Sequence, residues 1–142
     1  MTKLVVDSSV AVKWFVVEPY SAEAHRILDE YQNGNIALLA PDLVYAEIGN
    51  IVWKKYLFQG LDAADAQDIL KEFQAVHFDI TPAAALLDDA YQIAVRYRRT
   101  VYDALYLALG QYESCQMVTA DEKFVNAVGA SFLNPIWLAN WP

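Results

Sequence analysis

Four short apolar runs, separated by helical patterns, restrict this chain to one broad architecture. They are Leu4-Val5-Val6, Ile36 to Ala40, Val76 to Ile80 and Gln116 to Ala120. Each has the length and bounding residues of a strand. After the first come a short helix from Ser8 to about Phe15 and a second from Ser21 to about Gln32, stopped by Asn33-Gly34. Ser8, Ser9 and Ser21 are the cap candidates for these two helices. Pro41-Asp42 opens a helix to about Phe58, and Asp62 caps another from Ala63 to Ala75. Thr81-Pro82 starts a helix to about Arg98, and Val101 starts one to about Tyr112. A helix from Asp121 to Val128 and a short strand at Ala130 to Leu133 complete the pattern, before an aromatic tail with Trp137 and Trp141. Strands that alternate with helices build a parallel sheet between helical layers. The expectation is a single α/β domain over residues 1–142, with a central parallel sheet of four to five strands flanked by helices. The length suits one domain and a core that needs neither disulfides nor zinc.

Within this apolar frame, four acids stand out. Asp7 ends the first strand and Asp121 follows the fourth, and in open parallel sheets ligands bind at the carboxyl ends of strands. Asp103 lies in the first turn of its helix, with Tyr106 and Leu107 three and four residues on. Glu47 shares a helical stripe with Leu43, Val44, Ile48 and Ile51, so it points inward with them. Taken singly, three of these have a plain explanation. Thr100-x-x-Asp103 and Thr119-x-x-Glu122 both have capping-box spacing, and Asp7 and Asp121 suit helix N-caps. Capping does not account for Glu47, which is in mid-helix.

Together the four acids need another account. Adjacent carboxylates at about 5 Å repel by roughly 3 kcal/mol per pair at an effective dielectric near 20. A hard divalent cation with oxygen ligands removes that repulsion, and Mg²⁺ is commonly held by carboxylates together with substrate phosphates. Such a site can activate water against a phosphodiester. Metal-dependent phosphodiester hydrolysis is the chemistry this pattern favours.

The same residues carry a family resemblance. Leu4-Val5-Val6-Asp7-Ser8-Ser9, Pro41-Asp42-Leu43 through Glu47-Ile48 and Asn50, Tyr102-Asp103-Ala104-Leu105-Tyr106-Leu107-Ala108, and Val118-Thr119-Ala120-Asp121-Glu122-Lys123-Phe124 occur in order over nearly the whole chain. In this the chain resembles PIN domains, and within them the VapC-type toxin ribonucleases of toxin–antitoxin pairs. The resemblance implies a PIN-like three-layer sandwich and an endoribonuclease whose Asp7, Glu47, Asp103 and Asp121 bind Mg²⁺ or Mn²⁺, with the Thr119 hydroxyl ordering the site. It also implies a homodimer and a small VapB-like antitoxin that blocks the site. A PIN nuclease of general RNA processing and a catalytically idle RNA- or protein-binding PIN module are the alternatives.

Other features bound the reading. With 18 acidic and 10 basic residues the net charge is −8, which opposes binding of nucleic acid over the whole surface. Local cations would have to serve, and Arg96, Arg98 and Arg99 form the densest basic cluster, as possible contacts for RNA phosphates or as charges suited to a helix C-terminus. His25 and His77 have no ligand-spaced partner. The lone Cys115, the lack of a signal-like start and the lack of any apolar run of membrane-spanning length lead to an expectation of the cytoplasm and no membrane. Of the aromatics Trp14, Phe15, Trp53, Tyr56 and Phe58, most are expected in the core and some in a groove for a partner. An aspartyl phosphotransferase would need Asp-x-Asp where this chain has Asp7-Ser8-Ser9. A receiver domain would need an Asp and a Lys that Ile80-Thr81-Pro82 and Leu133-Asn134-Pro135 do not supply.

Overall fold

Leu4, Val5 and Val6 are consecutive and all but fully buried, so the strand that holds them, β1 (Thr2–Val6), is covered on both faces over its last three residues. The computed structural model, which describes all 142 residues, sets it at the centre of a sheet with four other strands, all parallel to it. These are β2 (Ile36–Pro41), β3 (Phe78–Thr81), β4 (Gln116–Thr119) and β5 (Pro135–Trp137), in the spatial order β3-β2-β1-β4-β5. Every pairing in the sheet is parallel. Seven helices flank it: α1 (Ser8–Ala11), α2 (Ser21–Gln32), α3 (Leu43–Phe58), α4 (Ala63–Ala75), α5 (Ala83–Tyr97), α6 (Val101–Glu113) and α7 (Glu122–Val128). The architecture is the expected α/β one, with five strands.

The strand order matters more than the strand count. From β1 the chain moves outward on one side to β2 and β3, then returns through α5 and α6 to β4 on the other side of β1. The β1/β4 boundary is therefore a topological switch point, where diverging connections leave a crevice at the strand C-termini. Val6 pairs with Val118 there, and the Asp7 N–H donates to the Val118 carbonyl at 3.3 Å. Helix α6 packs against β1, β2 and β4, and its residues Ala104 to Gly110 are buried without a break. That deep helix begins beside the crevice, and Asp103 is in its first turn.

Some boundaries differ from the sequence-based expectation. The last strand is Pro135–Trp137, and not Ala130 to Leu133. The N–H groups of Ser131 and Phe132 are spent on the Val128 carbonyl at the end of α7, which withdraws the two middle donors of that segment from any ladder. Asn134 then ties the chain to β4, since Met117 N–H donates to its carbonyl at 2.9 Å and its own side-chain amide donates to the Cys115 carbonyl at 2.9 Å. Pro41 ends β2 instead of starting α3, and Asp42 caps a different helix. Its Oδ1 accepts from Ala83 N–H at 3.0 Å, at the start of α5. Ser21 is the first residue of α2, preceded by Tyr20 in left-handed geometry, and its hydroxyl accepts from Glu18 N–H.

Candidate active site

Asp7 sits where β1 turns into α1, with extended backbone, and it rather than Ser8 or Ser9 is the N-cap of α1. Its Oδ1 accepts from Val10 N–H at 3.2 Å and from the Ser9 hydroxyl at 2.5 Å. The Ser9 oxygen in turn accepts from Ala120 N–H at 3.0 Å, so one hydroxyl joins the ends of β1 and β4. Asp121 caps α7 in the same manner, accepting from Phe124 N–H at 3.1 Å, while its own N–H donates to the Thr119 hydroxyl oxygen at 3.1 Å. Thr119 is buried to 1% exposure and also hydrogen-bonds to Asp7. The plain capping explanation therefore holds for Asp7 and Asp121. It uses Oδ1 of each carboxylate, so capping alone does not occupy the second oxygen of either.

For Asp103 the capping box is only half made. Asp103 N–H donates to the Thr100 hydroxyl at 3.1 Å, but the Asp103 carboxylate turns to Arg99, whose guanidinium lies 3.7 Å from Oδ2. The same guanidinium donates to Asp121 Oδ2 at 2.8 Å. Glu47 points inward from α3, as its stripe requires. Its Oε1 accepts from the Tyr106 hydroxyl at 2.5 Å and from the Ser8 hydroxyl at 3.2 Å.

Charge links the four into one cluster. Burial pushes the Asp7 carboxyl up to about 6; hydrogen bonds from Ser9, Thr119 and Val10 oppose the shift, and the charge of Glu47 adds to it. Burial also raises Glu47 against the hydrogen bonds of Tyr106 and Ser8, with Asp103 adding to the rise. Asp103 is raised by burial and by Asp121, with Arg99 pulling the other way. The buried Tyr106 phenol is pushed far above its usual range by burial and by Glu47, so it stays a hydrogen-bond donor. The order Asp7, Glu47, Asp103, Asp121 is a chain of like-charge neighbours with Arg99 as the only cation acting on it.

The donor set is all oxygen, and the acids are short of positive charge. Both features suit a hard divalent cation. As the side chains stand, no three His, Cys, Asp or Glu residues converge tightly enough to hold one ion. The reason is local: serines, Tyr106 and backbone N–H groups hold an oxygen each of Asp7, Glu47 and Asp121, and Arg99 lies between Asp103 and Asp121.

Several site residues were not singled out by sequence. Tyr106 read as an apolar neighbour of Asp103, although its position three residues on, on the same helical face, was the available signal. Ser8 and Ser9 read as helix caps, and they hold acids. The three arginines separate: Arg96 is exposed over the Tyr97 ring, Arg98 is exposed in left-handed geometry, and only Arg99 turns inward. The aromatic set separates too. Trp14 is buried, whereas Trp53, Tyr56 and Phe58 are exposed. Trp53 and Tyr56 line an apolar groove between α3 and α4 with Val52, Ala66 and Leu70.

The chain is similar in sequence and fold to known proteins. A family model for the PIN domain matches residues 4–129. Ribonuclease VapC3 of Pyrobaculum aerophilum is 32% identical over 125 residues, spanning 85% of this chain and 91% of that protein. The crystal structure of PAE2754 from Pyrobaculum aerophilum matches with a TM-score of 0.68 at 25% identity, over 89% of this chain and 79% of that one. A toxin–antitoxin complex from Klebsiella pneumoniae matches with a TM-score of 0.67 over 95% of this chain and 97% of that one. At 15% identity, that last likeness concerns the fold alone.

Proposed function

The chain belongs to the PIN domain family, and on that premise we propose that it is a VapC-type toxin ribonuclease, hydrolysing RNA phosphodiester bonds at the acidic corner of the β1/β4 crevice. The observation that carries this reading is the linked set Asp7, Glu47, Asp103 and Asp121 at the switch point of the sheet. Four acids around one arginine give the fold nothing that capping alone would not. They do suit a divalent cation and a phosphate together.

Asp7, Glu47, Asp103 and Asp121 are the residues that would hold Mg²⁺ or Mn²⁺. When bound, such an ion supplies Lewis-acid stabilisation of charge on the phosphodiester oxygens and lowers the pKa of water. The protein's own part is positioning and proton transfer. Ser9 and Thr119 fix Asp7 and Asp121 against each other across the two strand ends. Tyr106 and Ser8 fix Glu47, whose raised pKa suits it to take a proton from the attacking water. Arg96 and Arg98, exposed at the end of α5, are placed to meet RNA phosphates, which offsets locally the net charge of −8.

The test is cleavage of RNA by the purified protein with Mg²⁺, with Mn²⁺ and with chelator. Cleavage is expected only with metal, and Asp103→Asn is expected to lower it on the order of 100-fold through lost charge stabilisation. Cleavage that survives in chelator, or is unchanged in the variant, would remove the acids from the reaction.

As a toxin of this type the chain has a small VapB-like antitoxin as partner. The α3/α4 groove, with Trp53 half exposed at its edge, has the aromatic, apolar character of a binding surface. Trp53→Ala is expected to weaken antitoxin binding roughly 30-fold in calorimetry, with cleavage by the free protein unchanged. Unchanged binding would move the partner to another face. Exposed Leu87, Tyr91 and Val95, four residues apart along α5, form a stripe that a second copy would cover in a homodimer. No helix is long and apolar enough to cross a membrane, and the cytoplasm is the proposed location.

A further inference from the structure

Arg99 reaches the acids by a backbone device. Arg98 adopts left-handed geometry (φ 55°, ψ 43°) to close α5, and Arg99 N–H then donates to the Ala94 carbonyl. That turn sends the Arg99 side chain across the start of α6. Its guanidinium donates to Asp121 at 2.8 Å, lies 3.7 Å from Asp103, and packs 5.6 Å from the centre of the Phe124 ring. Less than a quarter of the side chain is exposed, and the buried Nε has no partner. A finished arginine–carboxylate fork would engage two nitrogens in parallel. Here one nitrogen, Nη2, faces two carboxylates, which is how a cation shared between acids is arranged.

Resting on the acidic ion site proposed above, we infer that Arg99 is the resident counter-ion of that site: it holds Asp103 and Asp121 together in the metal-free protein, and a divalent cation takes over that role, so that ion binding is an exchange. The consequence separates this role from simple bracing. A brace that positions Asp121 for the ion would, when removed, lower both ion affinity and stability. A counter-ion that competes would, when removed, lower the stability of the metal-free protein but raise ion affinity. Even at the dielectric of water, removing a unit charge about 6 Å from a divalent cation strengthens ion binding ~10-fold.

The experiment titrates Mn²⁺ by calorimetry into metal-free wild type, Arg99→Gln and Asp103→Asn, with thermal unfolding in chelator alongside. Arg99→Gln is expected to bind Mn²⁺ on the order of 10-fold more tightly than wild type and to melt at a lower temperature without metal. In the wild type, the Arg99 Nε–H resonance is expected to shift as diamagnetic Mg²⁺ is added; this arm stands even if the variant fails to fold. Equal or weaker Mn²⁺ binding by folded Arg99→Gln, or an unmoved Nε–H signal in a protein that binds the ion, would overturn the exchange and leave the nuclease reading intact. A wild type that binds no divalent ion would overturn both.

Discussion

Asp7→Asn is expected to lower RNA cleavage roughly 1000-fold while making the metal-free protein more stable than the wild type. The two effects have one origin. Asp7 lies in a crevice where burial and Glu47 disfavour its charge, so its carboxyl titrates near 6 rather than the usual 3.8. A folded-state pKa above the unfolded one means that the folded protein binds the proton more tightly. The penalty is therefore present in full above about pH 6 and is relieved as pH falls toward 4. A shift of this size corresponds to at most about 3 kcal/mol, and roughly 1–3 kcal/mol is expected because the carboxylate is only partly screened from solvent. Asparagine keeps an oxygen to accept from Val10 N–H and Ser9, and it carries no charge. Unfolding in chelator between pH 4 and 7.5 reads the effect. Wild type should gain stability on acidification through this window, and Asp7→Asn should start higher and gain less. If Asp7→Asn were less stable than wild type at pH 7, the N-cap and not the ion would be the reason for an acid at this position.

That combination also explains which parts of the site were legible in the sequence. Asp7 and Asp121 could be placed because a strand end fixes a residue's position in a parallel sheet, whatever the rest of the chain does. Glu47 could be placed because the α3 stripe fixes its direction. Both signals are one-dimensional. The residues that hold these acids were not legible in the same way, because their partners are distant in sequence. Ser9 meets Ala120 only after β4 returns beside β1, and Ser8 and Tyr106 meet Glu47 only once α1 and α6 pack against α3. Arg99 was hidden by its neighbours. Three arginines near a helix end look alike by composition, and only the left-handed turn at Arg98 singles one out. The misplaced last strand has a similar cause. Ala130 to Leu133 has strand composition, but the N–H groups of Ser131 and Phe132 are taken by the end of α7. Asp42 follows the same logic, since nothing local reveals that its carboxylate caps α5.

Glu18→Gln is expected to cost about 3 kcal/mol, or roughly 10 °C in melting temperature, although it lies outside the acidic corner. Glu18 bridges two lysines: Lys13 donates to Oε1 at 3.1 Å and Lys55 to Oε2 at 2.7 Å. Lys13 is the constrained partner, with 9% side-chain exposure against 14% for Lys55 and 26% for Glu18. Lys13 lies in the 3-10 turn that continues α1 from Asp7, and Lys55 lies on α3, the helix that carries Glu47. The bridge therefore clamps together the two segments that present Asp7 and Glu47 to the ion. Glutamine keeps the shape and leaves a buried ammonium without a counter-charge, which is the costly way to break such a pair. Lys13→Met added to Glu18→Gln is expected to restore most of the loss by removing the orphaned charge. The pH dependence runs opposite to that of Asp7. Burial raises the Glu18 carboxyl, but the hydrogen bonds and charges of Lys55 and Lys13 outweigh it and hold it below its ordinary value of 4.5. Its contribution is thus present above that ordinary value and lost as pH falls through the lower folded one. The two acids give the metal-free wild type a stability that rises from pH 7 toward about 5 and falls again below about 4. In Glu18→Gln the acid limb of that curve should flatten while the rise through pH 6 remains. A variant that melted with the wild type and kept its acid limb would show that the bridge stabilises nothing, and that α1 and α3 are aligned by their apolar contacts alone.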